Sequence, residues 1–167
     1  MYSVKEILSA SFHDNPSVVY AVGTGKRRRD ALINYSIAQA REAGRIYHSD
    51  SSAAIILFKD KKPSFIRNLI SSLKLVLKGL LANTFRIVRK EKIINTVHRE
   101  FQIPADAVYL WYIGTYPTDC GKGSGSKLLS LIIDEFLSKT IVLETSVKSN
   151  IDWYKKFGFR VYHKEDI

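Results

Sequence analysis

Ala107-Val-Tyr-Leu-Trp-Tyr-Ile-Gly-Thr-Tyr-Pro117 runs directly into Thr118-Asp-Cys-Gly-Lys-Gly-Ser-Gly-Ser-Lys127, and an apolar stretch through Phe136 follows. The first segment, Val108 to Gly114, is aromatic and β-branched and reads as a buried strand. The third carries Leu128, Leu129, Ile132, Ile133 and Phe136 at helical spacing on one face. Between them stand Gly121, Gly123 and Gly125. A strand therefore feeds a glycine-rich loop that opens a helix. Bare N–H groups and the positive end of the helix dipole meet at such a junction, and phosphate is the anion best suited to them. Glycine admits a ligand where a Cβ would collide. The junction is a phosphate cradle.

Its spacing excludes one nucleotide loop and disfavours another. A P-loop needs Lys-Ser/Thr directly after its last glycine and a further glycine five positions earlier. Here Gly123 follows Lys122, and position 116 is tyrosine. The dinucleotide fingerprint fits Gly121 and Gly123, with Glu144 about 20 residues on, but Ser126 replaces the third glycine. Five residues, Tyr116 to Cys120, also part the strand from the first glycine.

Cys120-Gly-Lys-Gly123-Ser-Gly125 resembles motif A of the GCN5-related N-acetyltransferases, which ends in Gln/Arg-x-x-Gly-x-Gly/Ala. Both glycines match, and Cys120 stands where the family has Gln or Arg. Further on, Asn150, Tyr154 and Gly158-Phe159 resemble motif B of that family. Phe12-His-Asp-Asn-Pro16, the Lys26-Arg-Arg-Arg29 helix start and Gly44-Arg-Ile-Tyr47 resemble a subgroup that includes puromycin-type acetyltransferases. The resemblance implies one α/β domain over residues 1–167, with a mixed, mostly antiparallel sheet flanked by helices. It implies acetyl-CoA as cosubstrate, no metal, and a small-molecule or peptide amine as acceptor. Backbone groups of Ile113, Gly114 and Thr115 would pair with the pantetheine arm. Those of Cys120, Gly121, Lys122, Gly123, Ser124, Gly125 and Ser126 would hold the pyrophosphate. Asn150 would cap the last helix and touch the cofactor, and Tyr154 would protonate the departing thiolate. Glu144, after the apolar Ile141-Val-Leu143, is the candidate base. It could equally bind the substrate amine or pair with Lys148. No histidine is identifiably placed beside Cys120, so direct transfer in a ternary complex is expected rather than an acyl-enzyme.

Composition sets the bounds. The 167 residues are 46% hydrophobic and 25% charged, ordinary for a globular domain. A single cysteine excludes an intrachain disulfide and points to a reducing compartment, the cytoplasm, and no signal-like apolar stretch opens the chain. Four scattered histidines show no zinc spacing. The formal charge of +10 suits an anionic ligand, but no nucleic-acid motif accompanies it, and nucleic acid is not an expected partner.

Elsewhere, helices are expected over 3–12, from Lys26 to Ala43, over 64–81 and over 84–101. The third is amphipathic, but Arg67, Lys74 and Lys78 interrupt it, so it is no comfortable membrane span. The fourth carries Ile87, Ile94, Val97 and Phe101, expected inward, and the resemblance implies that this pair of helices helps wall an acceptor pocket. Asp14-Asn-Pro-Ser reads as a turn. The basic run Lys26 to Arg29 reads as a solvated face. Strands are expected over 45–48, 53–59, 140–146 and 160–164. The family usually continues beyond that last strand, so the sheet is expected to end early or to be completed by a second copy of the chain.

Overall fold

The structure is a computed structural model that describes residues 1–61 and 81–165. Helix α1 (Val4–Ser11) starts at a capping box: the Ser3 hydroxyl accepts from the Glu6 N–H, and the Glu6 carboxylate accepts from the Ser3 N–H at 2.7 Å. Helix α2 (Pro16–Val22) occupies the place of the expected turn. Asn-Pro serves helix starts as readily as turns. Here the Asn15 side chain accepts from the Val18 N–H at 3.2 Å, and Pro16 fills the first helical position, where an N–H is not needed. Helix α3 (Lys26–Ala43) and the hairpin of β1 (Gly44–His48) and β2 (Ser52–Phe58) follow as expected to within a residue. The expected helix over 64–81 lies outside the described residues but for its last. The next, α4, spans Leu81–Glu100; Val97 is buried, but Phe101 is 45% exposed rather than inward.

Strand β3 (Val108–Thr115) is central, and helix α5 (Ser124–Glu135) leads from it to β4 (Ile141–Leu143). Helix α6 (Lys148–Lys155) follows. Among the described residues the strand order is β1-β2-β3-β4, antiparallel except for the parallel β3–β4 pair. The expected strand over 160–164 does not form. Val161 is 47% exposed, and of residues 160–164 only Tyr162 is half-buried, so no alternating apolar face exists to be buried there. Instead Tyr162 and His163 set their rings against Phe101, with centroids at 5.3 and 6.0 Å.

Two cores sandwich the sheet. On one face, Ile7, Leu8, Val18, Val22, Leu32 and Ile33 of α1–α3 pack on Ala53, Ile55 and Tyr112. On the other, Leu128, Leu129, Ile132 and Phe136 pack on Ala54, Ile56, Val108 and Leu110, with Tyr154 of α6. Each fully buried aliphatic side chain contributes about 1.5–3 kcal/mol. Strand β3 changes face part-way along its length. Ile55 and Ile56 of β2 pair with Tyr112 and Leu110, leaving Trp111 as the extra residue of a bulge. Leu110 therefore faces α5, while Trp111 and Tyr112 both face α1 and α3.

The basic run at the start of α3 is only partly the solvated face expected. Lys26 to Arg28 are exposed, but Arg29 is 4% exposed, its Nε 3.4 Å from the Ser9 hydroxyl and its Nη1 without a hydrogen-bond partner among the described residues.

Helix α1 crosses β3 where the strand has no side chain. A Cβ on Gly114 would stand 2.6 Å from Ser11 Oγ and 2.7 Å from Ser11 Cβ, so rotating the serine does not clear it. Gly114→Ala is expected to cost about 1–3 kcal/mol of unfolding free energy as α1 is pushed off the sheet, measured by urea denaturation against the parent.

Candidate active site

The site begins where two strands part. Val108, Tyr109 and Leu110 pair with Ile141, Val142 and Leu143, and there β4 ends. Strand β3 continues to Thr115, paired along its other edge with β2 as far as Ser52. The expected strand over 140–146 is thus cut to three residues, and the β4 side of Trp111 to Thr115 is left out of the ladder. Backbone N–H and C=O groups on such an edge are available to an extended ligand with amides of its own.

Both lips of the wedge are held by one corner of the chain. The Ser11 hydroxyl donates to the Thr115 carbonyl at 2.5 Å. Beyond β4, Ser146 Oγ accepts from the Ser17 N–H at 3.3 Å and donates to Asn15 Oδ1 at 3.4 Å. The corner between α1 and α2 therefore spans the gap on one face of the sheet.

The glycine loop closes the other end. After a single 3-10 turn, Pro117–Asp119, Gly121 and Gly123 take φ of +81° and +84°, and Gly123 caps α5 in the left-handed region. Only glycine adopts these angles without strain. A Cβ at either would meet nothing within 4 Å among the described residues, so the space above both is open. No side chain caps α5, and its first-turn N–H groups, from Ser124 onward, have no intrahelical acceptor. Gly125 has a different role: a Cβ there would lie 3.0 Å from Thr115 Oγ1.

Side chains brace this loop from below. Lys122 Nζ reaches Asp119 Oδ1 at 2.7 Å, and that hydrogen bond holds the Asp119 carboxyl below its ordinary value. The Cys120 thiol turns back toward the Thr115 and Tyr116 carbonyls, at 3.7 and 3.8 Å. Trp153 Nε1 donates to Ser126 Oγ at 3.1 Å, fastening α6 to the first turn of α5. Trp153 has no counterpart among the expected site residues. The bond joins residues 27 apart in sequence, and an aromatic at helical spacing reads simply as core.

Of the expected chemistry-bearing residues, Tyr154 is buried in the cluster that also holds Leu110, Ile113 and Leu143. Its ring meets Trp153 and Phe159 with centroids at 4.8 and 5.7 Å, and burial pushes its phenol up to about 12. Asn150 is not the helix cap. Val147 holds that position, its N–H bonded to Thr145 Oγ1 at 3.2 Å, and Asn150 is the third residue of α6. Glu144 follows the last residue of β4, and its Oε1 accepts from the Tyr109 hydroxyl at 3.0 Å. Tyr109 alternates with Val108 and Leu110, which face α5, so it and Glu144 belong to the opposite face. Tyr154 and Glu144 thus flank the end of the β3–β4 ladder from two sides of the sheet. Among the described residues no three His, Cys, Asp or Glu side chains cluster as a metal site requires, and no helix is long and apolar enough to cross a membrane.

No protein-family model and no curated protein matches the chain. Among solved structures, it superposes on a protein from Corynebacterium glutamicum described as histone acetyltransferase HPA2 and related acetyltransferase. The TM-score is 0.61 at 18% identity, over 98% of this chain and 82% of that one. The chain shares the fold of that structure. The likeness agrees with the expected α/β architecture and its mixed sheet, and it does not single out the puromycin-type subgroup.

The buried phenols set an alkaline limit. Tyr112 and Tyr154, ordinarily near 10.0, are both raised by burial to about 12. Their stabilising contribution is complete below pH 10, where both states hold the proton. It is lost as pH rises toward 12, because the unfolded chain sheds the proton first. At about 1.4 kcal/mol per unit, each phenol accounts for roughly 2–3 kcal/mol. Urea midpoints followed across that range should fall steeply for the parent and less steeply for Tyr112→Phe and Tyr154→Phe.

Proposed function

We propose that residues 1–167 form one domain that binds acetyl-CoA in the β3–β4 wedge and transfers its acetyl group directly to a primary amine. One observation carries this reading: the strand edge left unpaired from Trp111 to Thr115 leads straight to an uncapped helix N-terminus entered through two left-handed glycines. An edge that takes amides, ending in a cradle that takes phosphate, matches a ligand with a pantetheine arm joined to a pyrophosphate. The open space above Gly121 and Gly123 meets the same requirement, since any side chain there would stand in it.

In this reading the N–H groups of Gly121 to Ser126 hold the pyrophosphate. Because they are backbone donors, Cys120 can replace the family's Gln or Arg with its thiol turned away. The Lys122 ammonium is engaged with Asp119 and supplies field rather than a direct contact. Backbone of Ile113 to Thr115 aligns the arm, although the Thr115 carbonyl is already taken by Ser11. Asn150, in the first turn of α6, faces the cofactor without capping. The cosubstrate brings an activated thioester. The chain supplies fixed donors and two proton positions. As the amine nitrogen forms its bond to the acetyl carbon, its proton passes to the Glu144 carboxylate, directly or through water. As the carbon–sulfur bond breaks, the sulfur takes the Tyr154 proton. A phenol that keeps its proton to about pH 12 remains a donor throughout the physiological range.

Calorimetry with acetyl-CoA tests the cradle. The parent should bind, and Gly123→Glu/Gly125→Glu, verified as folded by circular dichroism, should not. No binding by the parent sinks the reading. Tyr154→Phe should keep cofactor affinity but lose about 100-fold in transfer rate, followed by thiol release over an amine panel. Binding without turnover of any amine would leave a module that holds the cofactor without using it.

A further inference from the structure

The base is anchored by a residue that the motifs do not point to. Glu144 lies one position beyond the last β4 pair, so the sheet does not fix its backbone. Its Oε1 is fixed by the Tyr109 hydroxyl at 3.0 Å. Tyr109 itself is held on both sides, pairing with Leu57 in β2 and with Val142 in β4. Its ring stands edge-on to the buried His98 ring of α4 at 6.4 Å and 76°. A rigid phenol on the closed part of the ladder thus aims at a carboxylate on the open part.

We propose that Tyr109 is a positioning residue that holds the Glu144 carboxylate at the mouth of the wedge, ionised and oriented toward the incoming amine. This rests on the acetyltransferase reading above. The polarity of the bond is fixed, because a phenol donates to a carboxylate and an ionised carboxylate has nothing to donate in return. Burial, then the Glu144 charge, drives the Tyr109 phenol well above its ordinary value, so it does not exchange roles with its partner. Other titratable groups stand around the pair. Tyr162, from the segment after α6, is raised first by burial and then by Glu144. Tyr112 of β3 adds to the rise in Tyr109. His98 is lowered by burial and by Lys59, and Lys59 by burial alone. The proposed device differs from a strand-to-strand staple in one respect: it acts on the proton affinity of Glu144.

Tyr109→Phe separates the two, since it keeps the ring and deletes only the donor. The titration of the Glu144 side-chain carboxyl carbon, followed by NMR in glutamate-labelled protein and assigned by its absence in Glu144→Gln, should move to higher pH in Tyr109→Phe. A charged form stripped of a hydrogen-bond donor takes up a proton more readily. With any panel amine that the parent acetylates, the acid limb of kcat/KM should move the same way. The rate below that limb should fall about tenfold, and acetyl-CoA affinity should be unchanged. An unmoved Glu144 titration, or a moved titration with an unmoved rate limb, overturns the proposal and leaves a staple. Should Tyr109→Phe fail to fold, 3-fluorotyrosine incorporation makes the phenol a stronger donor and should move the Glu144 titration down, with no shift counting against it. The NMR arm needs no substrate, so failure of the acetyltransferase reading, seen as no cofactor binding and no turnover, stays distinct from failure of this inference.

Discussion

Strand β3 runs eight residues and β4 three, and the consequences of that mismatch reach every part of the site. Past Leu110 the long strand loses its neighbour, and its backbone groups on that side leave the ladder. Burying such groups without partners is costly, so the edge must stay open to water or to a ligand. Several features keep it open. The bulge at Trp111 adds local twist just where the strands separate. The corner between α1 and α2 ties one lip through Ser11 and Thr115 and the other through Asn15, Ser17 and Ser146. A gap held from both sides by hydrogen bonds does not collapse into a fourth, fifth and sixth ladder pair.

The same parting makes the sheet passable. Each face has its own core, and the closed part of the ladder seals one from the other. At its end, a tyrosine from the α5–α6 side and a glutamate on the α1–α3 side come to the same opening. The proposed reaction removes one proton and returns another, and the two side chains proposed for these steps occupy separate surroundings. Tyr154 is kept protonated by burial among apolar side chains. Glu144 is kept on a phenol donor. Environment, more than residue type, underlies the roles proposed for them.

Two kinds of glycine serve this arrangement. Gly121 and Gly123 are needed for their angles and leave open space, whereas Gly114 and Gly125 are needed because another part of the chain stands where a Cβ would go. The first pair leaves an open surface, the one proposed to hold the ligand. The second lets α1 and α5 close on β3, which fixes that surface in place. A positive loop need not use its own lysine for this: Lys122 spends its charge on Asp119.

The glycine junction was legible in the chain because all its determinants are local. A β-branched run, three glycines and a helical stripe lie within thirty consecutive residues, and their order alone implies an anion site. The capped start of α1, the hairpin and the ends of α3 were legible for the same reason. Where strands stop was not. Residues 140–146 are β-like throughout, yet pairing ends at Leu143, because the length of a ladder is set by its partner and by what holds the lips apart. Asn15-Pro16 opens a helix through a local cap that a turn would use as readily, and Arg29 lies inward against Ser9, which is distant in sequence. Trp153 meets Ser126 across 27 residues and Tyr109 meets Glu144 across 35. The sequence by itself determined a strand, a glycine-entered helix start and a set of candidate residues. Only the tertiary structure decided which side of the sheet each candidate serves, because facing depends on register, and the bulge at Trp111 shifts that register by one.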